Sequence, residues 1–425
     1  MNYNIQKLKG GLRLLTVPME SLSSVTVTVW VKTGSRNETT QNNGISHFLE
    51  HMLFKGSKKR PTAKSISETI DSIGGELNAR TSKEYTNFYI KCRGQDIETA
   101  LDVLSDMVIN PILDKEEIER EKGTIIEEIR MYEDTPMMKI GDIFEELIYS
   151  GSTLGMDIAG TEKTVQNMSK NDLLSYRKNY YYTENIIISI VGSFDEKAIG
   201  KLTKKYFSDL STRGLSLVTN KLFLTSQAKP QIKLHDKRKE QTHVILGFMA
   251  DGKNYEKKYA QTLLATILGG GMSSRLFLEV RERRGLAYSV RTSMDRYEDV
   301  GYMGTYAGLD VKKASEAVKI ILEQHYKIAS QKSQVTSREL AKAKEFLKGH
   351  LALALEDTRD VTSFFTDQAL FSPEIKTPDE VFKKIDQVKM EDVMFEAKRL
   401  FVPERLNLAI IGPCDNDEEF SKIIK

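Results

Sequence analysis

Of the six histidines in the chain, two lie four residues apart, in the run His47-Phe48-Leu49-Glu50-His51. A helix advances about 100° per residue, so side chains at positions i and i+4 leave one face, one turn apart. Two imidazoles in that relation can reach one tetrahedral cation of the zinc type. Glu50, three residues after His47, projects to the same side, where its carboxylate can reach a metal-bound water without ligating the metal. With histidine so scarce, a chance match to three fixed positions is a weak explanation. The flanks suit a helix: Asn43-Gly44 precede it, Lys55 falls in its last turn, and Gly56 follows.

Two histidines leave such a site short, because a catalytic zinc takes three protein ligands and keeps one position open. Carboxylates are plentiful in Asp114-KEEIEREKGTIIEEIRMYED. This segment reads as a helix that opens on an Asp114/Glu117 capping box and ends before Pro136. Glu121 and Glu128, seven residues apart, face the same way, whereas Glu116 and Glu127 point elsewhere. Spacing alone does not choose among them, and a solvated charged helix is the plain alternative.

The elements that must position these groups follow from periodicity. Strands are expected at 13–17 and 25–32, helices near 44–55 and 62–72, a hairpin at 76–81 and 85–92, and a helix at 95–108. The helix at 62–72 stops at Gly74-Gly75, which frees the start of a strand, Glu76-LNARTS, with short side chains and an edge open to strand addition. The order then repeats. Asp172-LLSYRKNYYYTENIIISIVGSF-Asp195 aligns without a gap on Asp392-VMFEAKRLFVPERLNLAIIGPC-Asp415, an offset of 220 residues. Val25-TVTVWVKTG matches His243-VILGFMADG, and the helix after Lys115 matches the one after Ser337. These matches predict an α+β fold of two homologous α/β sandwich domains in tandem, at 1–210 and 229–425, with the connection in 208–230.

Composition sets the background. A chain of 425 residues is too long for one core, and 40% hydrophobic with 29% charged residues is ordinary for a globular protein. The net charge of +2 calls for neither nucleic acid nor an anionic membrane. No run reaches about 18 apolar residues, and the first residues read as strand, turn and strand rather than a leader. Two cysteines, Cys92 and Cys414, make no disulfide framework, and a cytoplasmic location is the simplest expectation. His235, His243, His325 and His350 have no paired spacing and read as ordinary residues, so no second metal site is expected. Trp30 and Tyr180-Tyr181-Tyr182 read as packing residues. Gly269-Gly270-Gly271 follows a helix rather than a strand and lacks Gly-Lys-Ser/Thr, so it is no phosphate loop.

His-x-x-Glu-His is the inverted zincin motif. In its setting GISHFLEHMLFKGS, with IDSIGGELNARTSKEYTNFYIKC and EREKGTIIEEIRMYEDTP following, the chain resembles the pitrilysin family, in its mitochondrial-processing-peptidase-like branch. The resemblance runs from about residue 5 to the C-terminus. It implies a metalloendopeptidase with one zinc ion per chain, ligated by His47, His51 and Glu128. Glu50 would be the general base that deprotonates the zinc water, and Glu121 would hold a ligand histidine in orientation. Asn78 and Ala79 would bind substrate as an added strand. Arg281 and Tyr288, in Arg281-ERRGLA-Tyr288, would reach the zinc site from the second domain and stabilise the oxyanion. Read alone, Arg281 lies on a basic helix ending at Gly285. The family encloses peptide substrates in a clam-shell chamber built from two such two-domain units, so a homodimer is implied, with a heterodimer with a non-catalytic homologue as the alternative. A non-catalytic scaffold on the same fold is the rival reading, opposed by the intact motif. A zinc enzyme acting on a small thioether is opposed by the duplicated length.

Overall fold

The computed structural model describes residues 1–213, 227–237, 241–330, 334–413 and 417–424. Most of the expected connection at 208–230, and Cys414, lie outside the described residues. The described strands form two sheets. In the first, β1 (Asn4–Lys7), β2 (Arg13–Pro18), β3 (Ser24–Val31), β4 (Glu76–Thr81), β5 (Thr86–Arg93) and β6 (Ile186–Gly192) run in the order β1-β2-β6-β3-β5-β4. In the second, β7 (Gln231–Asp236), β8 (Gln241–Asp251), β9 (Ala287–Arg296), β10 (Val300–Asp310) and β11 (Leu406–Gly412) run β7-β11-β8-β10-β9. The parallel pair β2–β6 corresponds to β7–β11, and antiparallel β6-β3-β5-β4 to β11-β8-β10-β9. The repeat legible in the sequence is thus a repeat of topology.

Alternation along β3 explains how the first sheet is covered. Val25, Val27, Val29 and Val31 join a core with Phe48, Leu49 and Met52 of helix Ile45–Leu53 and Leu101 and Leu104 of helix Ile97–Ile109. Thr26, Thr28 and Trp30 point the other way and are buried as well. A strand buried on both faces needs a second cover. Helix Thr358–Phe371, from the second half of the sequence, provides it. Thr358 shares a 2.7 Å hydroxyl hydrogen bond with Thr26, Asp357 pairs with Lys91 at 3.2 Å, and Arg13 donates to the Ala369 carbonyl at 2.9 Å.

The compact units are consequently not two contiguous lengths of chain. One contains Met1–Met131, Met156–Asn220 and Ala354–Thr377, and the other Tyr132–Gly155, Lys221–Leu353 and Pro378–Lys425. A single cut near residue 210–229 misses this exchange, because amphipathic periodicity says that a helix has an apolar face but not which sheet receives it. In the second unit the helix Pro136–Ile148 packs Ile140, Phe144 and Ile148 on Tyr302, Ala409 and Ile411. Gly247 makes room for it, since a Cβ there would lie 2.5 Å from the Phe144 ring. Glu145, buried on the same helix, accepts hydrogen bonds from Tyr297 and Tyr302.

His325 is a core residue of this second unit. Its Nδ1 donates to the Ile321 carbonyl at 2.7 Å, Nε2 faces the Thr305 hydroxyl at 3.3 Å, and its ring lies against Phe248 and Phe401. Burial pushes its pKa down to about 4. The unfolded chain, with an ordinary histidine near 6.5, therefore binds more protons between those values, and stability falls as pH drops through that window. The expected loss from pH 7.5 to 4.5 is about 2–3 kcal/mol. Urea unfolding of wild type and His325→Gln at both pH values checks this: the variant should lack that part of the pH dependence, and equal dependences would contradict it.

Candidate metal centre

Helix Ile45–Leu53 carries the centre, and its amino end is fixed by a group that spacing did not announce. The buried carboxylate of Glu38 accepts from the backbone N–H of Gly44 at 2.7 Å, the N–H of Ser46 at 2.9 Å and the Asn43 side chain at 2.9 Å. Burial raises the Glu38 carboxyl, against these hydrogen bonds, and its oxygens satisfy N–H groups that have no partner within the helix. Ser46 in turn shares a 2.6 Å hydrogen bond with the Tyr176 hydroxyl, which meets Thr33 at 2.8 Å, and Tyr180 donates to the Asn37 carbonyl at 3.0 Å. Gly44 enters the helix at φ 95°, and a Cβ there would stand 2.5 Å from the Ala159 carbonyl oxygen. Both conditions require glycine.

One turn on, His47 Nε2 and His51 Nε2 are 3.2 Å apart. Glu128 Oε2, from helix Lys115–Glu133, lies 3.6 Å from the first and 3.5 Å from the second. Tetrahedral bonds of about 2.05 Å to zinc give ligand–ligand edges of about 3.3 Å, so the three atoms fit one such ion. They are the group among the described residues whose ligand atoms converge for a metal. Burial, then the neighbouring His51, push the His47 pKa down to about 3, which keeps that imidazole neutral and able to ligate. The remaining nitrogen of His47, Nδ1, is buried without a hydrogen-bond partner among the described residues.

His51 is oriented from behind. Its Nδ1 donates to Glu121 Oε1 at 2.8 Å, which leaves the Nε2 lone pair able to ligate a metal. The other oxygen of Glu121 pairs with Lys55, from just beyond the helix. Burial alone would raise the Glu121 carboxyl, but the hydrogen bonds from His51 and Lys55 outweigh it and hold it below its ordinary value. Glu50 sits on the same helix, and Thr81, at the end of β4, donates its hydroxyl to Glu50 Oε2. Burial raises the Glu50 pKa, against the hydrogen bonds from Thr81.

The other expected residues fall in two places. Asn78 and Ala79 lie on β4, the end strand of the first sheet, whose only described neighbour is β5. Arg281 and Tyr288 belong to the second unit, where the guanidinium lies 5.4 Å from the Tyr288 ring centroid and 4.8 Å from that of Phe277. Tyr288 is 80% exposed, so its hydroxyl is open to a molecule from outside. Arg281 sits in a π-helical turn, Phe277–Glu282, rather than in regular helix, and Gly285, at φ 59°, follows it. The Asp114/Glu117 box is half formed: Asp114 accepts from the Glu116 and Glu117 N–H groups, but the Glu117 carboxylate turns to Arg120.

Fold and site together define a metallopeptidase of tandem design. Residues 14–162 match the insulinase (peptidase family M16) model, and residues 167–347 match that of the M16 inactive domain. The chain is 38% identical to a Bacillus subtilis (strain 168) protein named as the uncharacterized zinc protease YmxG, across 96% of this chain and 98% of that one. It is 34% identical to an uncharacterized zinc protease of Streptomyces coelicolor, across 98% and 90% of the two chains. A crystal structure described as a protease from Helicobacter pylori superposes with a TM-score of 0.91 at 24% identity, covering 97% of this chain and all (100%) of that one. An M16 inactive domain structure from Pseudomonas fluorescens gives 0.88 at 18%, covering 97% and 98%. The chain belongs to the insulinase family of peptidases.

Removing the carboxylate behind His51 frees that ring to turn. Glu121→Ala is expected to weaken metal binding about 10- to 100-fold, measured by competition with a chelator. An affinity equal to wild type would show that Glu121 does not orient the ligand.

Proposed function

We propose that the protein is a zinc-dependent endopeptidase that holds one zinc per chain on His47, His51 and Glu128 and hydrolyses peptides or short unfolded segments. The observation that carries this reading is the convergence of three ligand atoms, 3.2–3.6 Å apart, beside the carboxylate-bearing turn of Glu50. The zinc names of the relatives agree with the donor set of two imidazoles and one carboxylate. When bound, zinc supplies Lewis-acid polarisation of the scissile carbonyl and acidifies water.

The chain's own residues do the rest. Glu50, as general base, takes the proton of the attacking water and returns it to the leaving amine. Burial raises its pKa above the ordinary carboxylate value, the direction that makes the carboxylate a stronger base. An extended substrate adds to the free edge of β4 at Asn78 and Ala79 by main-chain hydrogen bonds, so sequence preference is weak along that edge. Tyr288, exposed and flanked by the Arg281 guanidinium, donates to the oxyanion, while Arg281 holds the tyrosine or the substrate carbonyl. The working particle is a homodimer enclosing a clam-shell chamber, since one chain carries both the metal motif and the Arg–Tyr pair, and it acts in the cytoplasm on peptides rather than on nucleic acid or membranes. In the described chain no helix is long and apolar enough to cross a membrane.

Glu50→Gln keeps every metal ligand and removes the base. Turnover of a quenched fluorescent peptide library should fall at least about 100-fold with zinc content unchanged. Equal turnover by variant and wild type would overturn the role of Glu50, and an inert wild type with zinc bound would favour a non-catalytic scaffold.

A further inference from the structure

We propose that Thr81 is a positioning residue for the general base, fixing the Glu50 carboxylate to the end of the edge strand along which substrate is bound. The proposal rests on Glu50 acting as read above. Along β4 the side chains alternate: Leu77 and Ala79 pack on the core of the first unit, and Thr81 follows them on that same face. Helix Ile45–Leu53 lies on that side, and the Thr81 hydroxyl donates to Glu50 Oε2. The hydroxyl thereby engages Oε2, and the Thr81 backbone N–H also faces the carboxylate, so both groups that hold Glu50 from this side come from one residue.

Thr81 is itself held on every side. Its backbone pairs with Thr86, and the turn that follows closes with Ser82 N–H donating to the Tyr85 carbonyl at 2.8 Å. That turn is docked on the loop leading to the metal helix. Ser35 and Arg36 donate their backbone N–H groups to the carbonyls of Ser82 and Lys83 at 3.2 and 2.8 Å. The buried pair Arg36–Glu84 adds a 2.6 Å ion pair. Gly34 allows this approach, because a Cβ there would stand 2.1 Å from the Ser82 carbonyl oxygen. A β-branched side chain on so fixed a backbone has little χ1 freedom, whereas a glutamate is flexible until something holds its carboxylate. Ala79 lies two residues before Thr81 on the same strand, so a peptide paired along β4 is laid out in register with the base.

The test compares Thr81→Val, which keeps the shape, with Thr81→Ser, which keeps the hydroxyl, using zinc-loaded full-length protein and a quenched fluorescent peptide. A hydrogen bond to a charged group is worth about 10- to 100-fold in rate, so the valine variant should lose about that much kcat. KM should stay within about threefold and zinc content should be unchanged, while serine restores most of kcat. If valine keeps wild-type kcat, or if serine is as slow as valine, Thr81 does not position the base. A parallel fall in zinc content and melting temperature in both variants also overturns the proposal, in favour of a structural role. Should valine fail to fold, Thr81→Ala against Thr81→Ser makes the same comparison. Glu50→Gln, run alongside, separates the two readings: undiminished turnover there removes the base itself, whereas a dead Glu50→Gln with an unaffected Thr81→Val removes only the positioning role.

Discussion

The carboxylate of Glu38, buried against the amino end of helix Ile45–Leu53, is the interaction on which the centre depends. A helix of nine residues carries both candidate ligand histidines and the proposed base, so a small swing of its axis moves all three together. An isolated helix of that length is marginal, and its direction comes from tertiary anchors. The Glu38 carboxylate, the Ser46–Tyr176–Thr33 hydroxyl chain and the close approach of Gly44 to Ala159 fix the amino end. At the carboxyl end, Lys55 and His51 both reach Glu121, which ties the helix to the neighbouring one that carries Glu128.

The sheet sets where that helix can lie. Its apolar residues Phe48, Leu49 and Met52 join the same core as the valine face of β3, while His47 and Glu50 on the helix reach Glu128 and the end of β4. The opposite face of β3 is closed by a helix from the far half of the chain, and the reciprocal helix Pro136–Ile148 serves the second sheet. Each unit therefore completes its burial only when both halves are present. This gives a physical reason for a duplicated protein to persist as one chain: cutting it between the repeats would leave two buried sheet faces uncovered.

Local patterns announced much of this, and long-range contacts did not. The four-residue spacing of His47 and His51 is set by helical geometry, so the pair was legible at once, and periodicity placed the strands and helices around it within a few residues. The choice of Glu128 over its neighbours needed a family resemblance, since several glutamates share that helix. Glu38 and Lys55 act on groups 6 to 66 residues away, through turns whose course no short-range pattern records. Thr81 was nearer to being readable: alternation from Leu77 and Ala79 already places it on the helix-covered face, and a hydroxyl there needs a partner. The exchanged helices, Pro136–Ile148 and Thr358–Phe371, were not read from the sequence, and their destinations follow from which sheet faces lack a cover, a property of the assembled fold.

Zinc K-edge X-ray absorption on the zinc-loaded protein reads the ligand set itself. Ligation by His47, His51 and Glu128 gives a first shell of nitrogen and oxygen at about 2.0–2.1 Å, with the outer-ring scattering of two imidazoles and no sulfur. Glu128→Gln is expected to alter that shell while both imidazoles stay bound. A shell with sulfur, with a single imidazole, or unchanged by Glu128→Gln would contradict the assignment of His47, His51 and Glu128 as the ligands.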